Sequence, residues 1–304
     1  MILVTGGTGL AGAAVVRELA RRGKAVAVLS RDAAKVARRF PDLPVEARQG
    51  DVRDPESLRA AFQGIEAVVD AVQFPNSPIE NKRKGWTFEQ VDYQGTVNQV
   101  QAARAAGVAR YVYVSGAGAA PDAAKHGFVF KWRAEEAVRA SGIPDAIFRA
   151  TWLYGPEDVA LNRFLGFARR LPFVPTFGDG KQPMQPLFVD DLGRVLADAL
   201  ERPEAVNETF EFGGPERMSM NDVIRTALEV AGLKRAILHQ PAFVGKLLGA
   251  VAQFLPGPPL TPDAIDFITH EAVADNAALE AAFPGLRLTP LRQGLASYLG
   301  PPPA

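Results

Sequence analysis

Residues 5 to 12 read TGGTGLAG, set between an apolar run, ILV, and a helical pattern, LAGAAVVRELARR. A strand that leaves through a glycine-rich turn straight into a helix constrains the rest of the chain. The next strand must return parallel to the first, with the helix packed on the sheet between them. Gly6 permits the tight turn, Gly9 lets backbone approach a pyrophosphate, and Gly12 allows close helix–sheet packing; Thr8 and Leu10 complete the loop. The helix N-terminus adds unpaired N–H groups and a dipole that favours phosphate. A glycine pattern alone says little, but a strand before it and a helix after it make it specific.

The same alternation continues. AVAVLS (25 to 30), VEARQGD (45 to 51), AVVDAV (67 to 72), YVYVSG (111 to 116) and AIFRAT (146 to 151) read as strands, with helical patterns between them. Gly23, Gly64 and Gly107 stand just past three of those helices, where a stop signal belongs. Six strands alternating with helices predict an α/β fold of the Rossmann-like, doubly wound kind, its parallel sheet covered on both faces. The rhythm breaks after YGP (154 to 156), and LPFVPTFGDGKQPMQPLFV has no helical period. A helix from about Asp191 to Leu200 and a strand near Thr209 to Phe212 return to the sheet, and SMND opens another helix with a capping-box pattern. The expected division is a nucleotide-binding domain over 1–155, rejoined by 188–213, and a smaller C-terminal substrate lobe from 156–187 and 214–304. The PPPA tail is expected to be disordered.

Composition removes several classes of function. The 304 residues contain no cysteine, so disulfides, thiolate metal sites and cysteine nucleophiles are excluded. His126, His239 and His270 have no ligand spacing, and no metal site is expected. Lys and Arg together number 34, as do Asp and Glu, so no overall field calls for nucleic acid or an anionic membrane. With a strand pattern from the first residues, no signal or transit segment is expected, and no apolar run approaches the ~20 residues of a spanning helix. A cytoplasmic location is expected.

Several motifs carry a family resemblance: the G-x-x-G-x-x-G spacing, GDVRD (50 to 54), VDYQGTVN (91 to 98), the Lys131/Glu135 pair, RATWLYGP (149 to 156) and PLFVDDLG (186 to 193). In these the chain resembles the short-chain dehydrogenase/reductase superfamily, in its extended or atypical branch. LPGPPLTPDAIDFI (255 to 268) is similar to the group containing the NADPH-binding accessory subunit of respiratory complex I. The resemblance implies a nicotinamide cofactor.

The second strand decides which cofactor. NAD-specific folds end it in an acidic residue for the ribose 2′-hydroxyl, whereas here it ends Ser30-Arg31, a hydroxyl and a guanidinium suited to phosphate. NADP(H) is therefore preferred, with NAD(H) as the alternative through Asp32. The resemblance also gives Asp51 and Val52 an adenine contact, against a capping role for Asp51; Ala71 and Val72, at the end of the fourth strand, are expected along adenine and ribose by position alone.

Active relatives carry Tyr-x-x-x-Lys on the helix after the fifth strand, with a serine at that strand's end. Ser115 and Lys131 are present, but Gly127 stands where the tyrosine belongs, and no tyrosine lies between Tyr113 and Tyr154. This leaves three readings. Lys131 with Ser115 is itself the catalytic pair, which needs a lysine made acidic by desolvation. Alternatively Lys131 only anchors ribose, and the protein binds cofactor without turnover, in a structural, assembly or redox-sensing role. In the third, Lys131 and Glu135 form an ordinary surface pair. His126 could supply an acid from the neighbouring position, and Tyr154 could approach the nicotinamide or simply pack. The leading expectation is an NADPH-dependent reductase of a carbonyl, enone or quinone-like acceptor; nucleotide-sugar epimerisation ranks third.

The loop QFPNSPIENKRKGW (73 to 86) is expected to close over substrate, with Lys82-Arg83-Lys84 as a solvated face. The apolar stretch 242–255 is core by default, with a protein or membrane-surface contact as the sharper alternative. The substrate is not named by these residues.

Overall fold

The structure, a computed structural model, describes residues 1–75, 77–252, 265 and 269–299. Apart from Ile265, the run 255–268 that carries part of the resemblance lies outside them, as does the PPPA tail.

Seven parallel strands form the central sheet. They are β1 (Ile2–Thr5), β2 (Val26–Ser30), β3 (Val45–Gln49), β4 (Ala67–Asp70), β5 (Arg110–Gly116), β6 (Asp145–Ala150) and a last strand, Glu208–Phe212. Across the sheet the order is β3, β2, β1, β4, β5, β6, then Glu208–Phe212. The reversal of direction lies between β1 and β4, where Thr5 stands opposite Asp70 at the carboxyl edge. Such a switch point opens a crevice for ligand. Leu3, Val4, Ala27, Val28, Val68, Val69, Val112 and Ile147 are fully buried, each larger side chain stabilising the sheet by about 1.5–3 kcal/mol.

The crossovers are α1 (Leu10–Arg21), α2 (Ala33–Arg39), α3 (Pro55–Ala61), α4 (Gln94–Ala105) and α5 (His126–Arg139). Six residues of π-helix, Phe88–Tyr93, run directly into α4, so this crossover begins with a widened turn. α6 is Val159–Arg170 and α7 is Val189–Ala199. α7 lies so close on α1 that a Cβ at Gly193 would fall 2.9 Å from the Ala14 backbone. Arg22 at the end of α1 also pairs with Asp198 at 2.6 Å. This packing fixes α1, whose first turn bears the glycine loop.

Two compact units divide the chain. The first comprises Met1–Ala150, Val189–Phe212 and Asp275–Leu286. Its last segment differs from the expected division, and the reason is aromatic: Phe283 packs on Phe148 and Phe210, with centroids 6.2 and 5.7 Å away. The second unit comprises Thr151–Phe188, Gly213–Ala274 and Arg287–Ala304. Its core includes Leu161, Phe164, Leu165 and Ala168 of α6 with Val223, Ile224 and Ala227 of α8 (Met220–Val230). α8 opens with the capping box that SMND predicts, Ser219 and Asp222 bonding reciprocally. No helix is expected at α6 from the sequence, although Asp158 caps it and its apolar residues recur at helical spacing. The helix Ala242–Ala252 leaves Phe243 and Leu247 exposed. Among the described residues no helix is long and apolar enough to cross a membrane.

Candidate functional site

The glycine loop is built from missing side chains. Gly6 has φ +67°, and a Cβ there would lie 2.3 Å from the Ala71 carbonyl oxygen. A Cβ on Gly12 would meet the Gly6 oxygen at 2.4 Å. Gly7, which the glycine pattern passed over, would meet Val28 at 2.9 Å. The Gly9 N–H donates to the Gly6 oxygen at 2.9 Å, closing the turn. Gly9 is exposed and caps α1 with no side-chain hydrogen bond, while Thr8 and Leu10 beside it are half-buried. A helix start without a side-chain cap, reached by bare backbone, fits a pyrophosphate.

A buried carboxylate fixes this edge. Asp70 accepts from the Thr5 hydroxyl (3.0 Å), the Val72 amide (3.1 Å), Thr96 (3.1 Å), Gln99 (3.0 Å) and the Tyr111 hydroxyl (2.9 Å). β1, β4, β5 and α4 therefore meet on one side chain. Burial, the larger cause, and the Asp70 charge together hold the Tyr111 hydroxyl well above the usual tyrosine range.

At the end of β2 the two cofactor alternatives separate. Asp32 accepts from the Ala34 amide at 2.9 Å, capping α2, and pairs with Arg38 at 3.1 Å. The Ser30 hydroxyl donates to the Asp32 carbonyl at 2.8 Å. Arg31 is exposed and makes no ion pair among the described residues; its guanidinium lies 6.0 Å from the Trp86 ring centroid. The acidic residue is occupied and the basic one is available. Asp51 accepts from the Arg53 amide and guanidinium, the shortest contact being 2.7 Å. Partial burial pushes its carboxyl up, but Arg53, with help from the Arg31 charge, holds it below the usual range. Val52 is buried, and its carbonyl accepts from Asn98 at 2.8 Å. Asp51, Arg53, Asp54, Gln90 and Gln94 line a surface cleft beside it.

The reacting end departs further from expectation. The Lys131 ammonium lies 2.9 Å from Asp92, whose side chain is wholly buried, and 5.5 Å from the Tyr113 ring centroid. Burial, the largest single influence, lowers the Lys131 pKa, but the charge and hydrogen bond of Asp92, joined by Tyr113 and Asp70, together move it upward. A lysine acting as proton donor at neutral pH needs the opposite shift. Glu135 is not its partner. That carboxylate accepts from Ser115 (2.6 Å), Arg149 (2.7 Å) and Arg139 (2.9 Å), so the surface-pair reading is corrected: both residues are buried and each pairs elsewhere. The Ser115 hydroxyl spends its proton on Glu135.

Gly127 is explained by a ring. A Cβ there would fall 2.8 Å from Cζ of Phe88, the first residue of the π-helical turn. Phe88 packs edge-on against Phe74 (4.8 Å) and His126 (5.6 Å). Phe130 continues the cluster beyond His126 at 6.3 Å, and Tyr93 stacks on Phe130 at 6.3 Å. His126 is more than half exposed, 3.5 Å from Glu80. Tyr154 is fully buried in the second unit, 5.3 Å from Phe188, and packs there.

Asp70, Asp92 and Phe88 are among the residues that the sequence did not single out. For Phe88 no signal was visible, because its partner Gly127 is distant along the chain.

A family model described as NAD(P)H-binding matches residues 6–164. The chain is 26% identical over 303 residues to the mitochondrial NADH dehydrogenase [ubiquinone] 1 alpha subcomplex subunit 9 of Arabidopsis thaliana, covering 94% of this chain and 73% of that one. It is 30% identical over 238 residues to an NAD(P)H azoreductase of Xenophilus azovorans, covering 76% and 74%. The triphenylmethane reductase of Citrobacter sp., solved with NADP(H), superposes with a TM-score of 0.74 at 24% identity over 97% of this chain and 99% of that one.

Proposed function

The chain belongs to the NAD(P)H-binding family, in the atypical branch of the short-chain dehydrogenase/reductase group, and on that premise we propose that it is an NADPH-dependent reductase of conjugated acceptors. The observation that carries this reading is the Phe88 ring packed on Gly127 beside a lysine kept charged by Asp92. NADPH, when bound, supplies a hydride. Reduction of an isolated ketone then needs a proton delivered to one oxygen, and position 127, where active relatives carry a phenol, is glycine. A conjugated acceptor such as a quinone, an azo dye or a triarylmethyl cation spreads the incoming electron pair over many atoms. Its proton, where one is needed, comes from water. For the quinone and azo acceptors, Lys131 contributes positive charge that favours the negative charge growing on oxygen or nitrogen. The aromatic cluster offers flat apolar surface.

The acceptor class agrees with what the azoreductase and the triphenylmethane reductase are named for. NADPH is favoured over NADH because Arg31 is available and Asp32 is tied to its helix cap. The second reading, a cofactor-binding module without turnover, rests on similarity to the complex I subunit over 94% of this chain. One experiment separates them: NADPH oxidation followed with a quinone, an azo dye and a triarylmethane dye beside simple aldehydes and ketones. Turnover confined to the conjugated acceptors supports the reductase. Tight NADPH binding without turnover on any of them sinks it in favour of the module.

A further inference from the structure

The run Lys82-Arg83-Lys84 reads as an ordinary solvated face, and the fold gives one member of it a particular place. Asn81 and Trp86 pair backbone to backbone across a closed turn, with hydrogen bonds of 2.8 and 3.0 Å. The Asn81 side chain accepts from the Lys84 amide at 3.1 Å, and Gly85 turns the chain at φ +66°. The turn is also fastened to the segment after β3, because the Arg53 guanidinium donates to the Lys84 carbonyl at 2.8 Å while holding Asp51. Trp86 packs against the core of the first unit. Lys84 is thus anchored at the adenosine side of the sheet, next to the residue that follows β2.

Two cations share that tryptophan. The Lys84 ammonium is 4.8 Å from its ring centroid and the Arg31 guanidinium 6.0 Å. Among the described residues neither forms an ion pair, although Arg53 close by is neutralised by Asp51. Two like charges gathered on one ring, neither in ion-pair contact with a carboxylate although Asp51 feels the Arg31 charge, favour an anion arriving from outside. Arg31 stands where dinucleotide-binding sheets accommodate a 2′-phosphate.

We infer that Lys84, carried on the Trp86 turn, is a second phosphate-gripping cation that selects the 2′-phosphate of NADPH together with Arg31. The inference rests on the NADPH reading above and extends it to a loop outside the glycine turn and β2. The 2′-phosphate brings nearly two negative charges. Arg31 gives it a planar fork, and Lys84 a compact charge on a flexible stem. Trp86 keeps both cations from dispersing into solvent and supplies a cation–π contact that persists when the site is empty.

The test is a set of binding titrations on the full chain with NADPH, NADH, adenosine 2′,5′-bisphosphate and 5′-AMP. Variants are Lys84→Ala, Lys84→Arg, Trp86→Phe and, as a charge control, Lys82→Ala. Lys84→Ala is expected to weaken NADPH and the bisphosphate by about tenfold, one charge-assisted contact, and to leave NADH and 5′-AMP unchanged. Lys84→Arg restores most of the loss, and Lys82→Ala causes little. Equal weakening of both cofactors by Lys84→Ala, no weakening at all, or the same loss from Lys82→Ala overturns the inference while the NADPH reading stands. If the unaltered protein does not prefer NADPH, the underlying reading fails instead.

Discussion

The two ends of the sheet's carboxyl edge are built on opposite principles. At the glycine loop the site consists of side chains that are not there: a Cβ on Gly6 or Gly12 would lie within 2.4 Å of backbone atoms. At the start of α5 the site consists of side chains that fill and pair, Phe88 filling space against Gly127 and Asp92 taking Lys131. Backbone leaves little room for gradual change, because any added atom collides with main chain. Side chains can be swapped in concert. The glycine loop therefore keeps the features expected of its family, while the space at position 127, where active relatives carry a tyrosine, is taken by the Phe88 ring.

The sharpest way to break the contrast is at Gly12. Gly12→Val should weaken NADPH by on the order of 100-fold or more, since overpacking against main chain costs about 1–3 kcal/mol before any displacement of the loop; a titration that finds unchanged affinity would remove the backbone argument. Next comes the buried pair. Asp92→Asn should cost about 3–5 kcal/mol in urea unfolding, because Lys131 is left charged and uncompensated. The double variant Asp92→Leu/Lys131→Met should recover most of that stability, and a purely additive result would show that the two do not act as a pair.

Gly127→Tyr should lower stability by about 1–3 kcal/mol through collision with Phe88. Combining it with Phe88→Ala should relieve part of that loss, as thermal unfolding would register. The smallest effect at neutral pH concerns protons. The Lys131 pKa is raised in the folded state, so its stabilising contribution is complete below the unfolded value near ~10.4 and is lost as pH rises through the folded one. Alkaline unfolding should accordingly be steeper in the unaltered protein than in the double variant, and identical curves would contradict the assignment.

Legibility followed the same divide. The glycine loop and the alternation of β1 to β6 with helices could be read because each rests on local rules: turn conformation, helix stops and apolar runs. Ser30-Arg31 was readable for the same reason. Which of Arg31 and Asp32 stays available required the fold, since the answer lies in a cap to Ala34 and a pair with Arg38. Lys131 stood out, but its partner did not, and the i, i+4 neighbour Glu135 was the wrong one. Buried charges are paired by tertiary proximity, and Asp92 comes from a different helix. α6 was lost to the proline-rich stretch that comes after it, despite Leu161, Phe164, Leu165 and Ala168 at helical spacing.

Phe88 and Asp92 belong to the same π-helical turn, Phe88–Tyr93, and this bears on position 127. A π turn is an α-helix with one residue too many. Deleting that residue restores ordinary winding and swings the preceding positions about 100° round the axis. Phe88 would leave Gly127, and the obstacle to a tyrosine there would go with it. A change to tyrosine at 127 would then meet one obstacle fewer, whereas substitution at 127 alone meets the Phe88 ring.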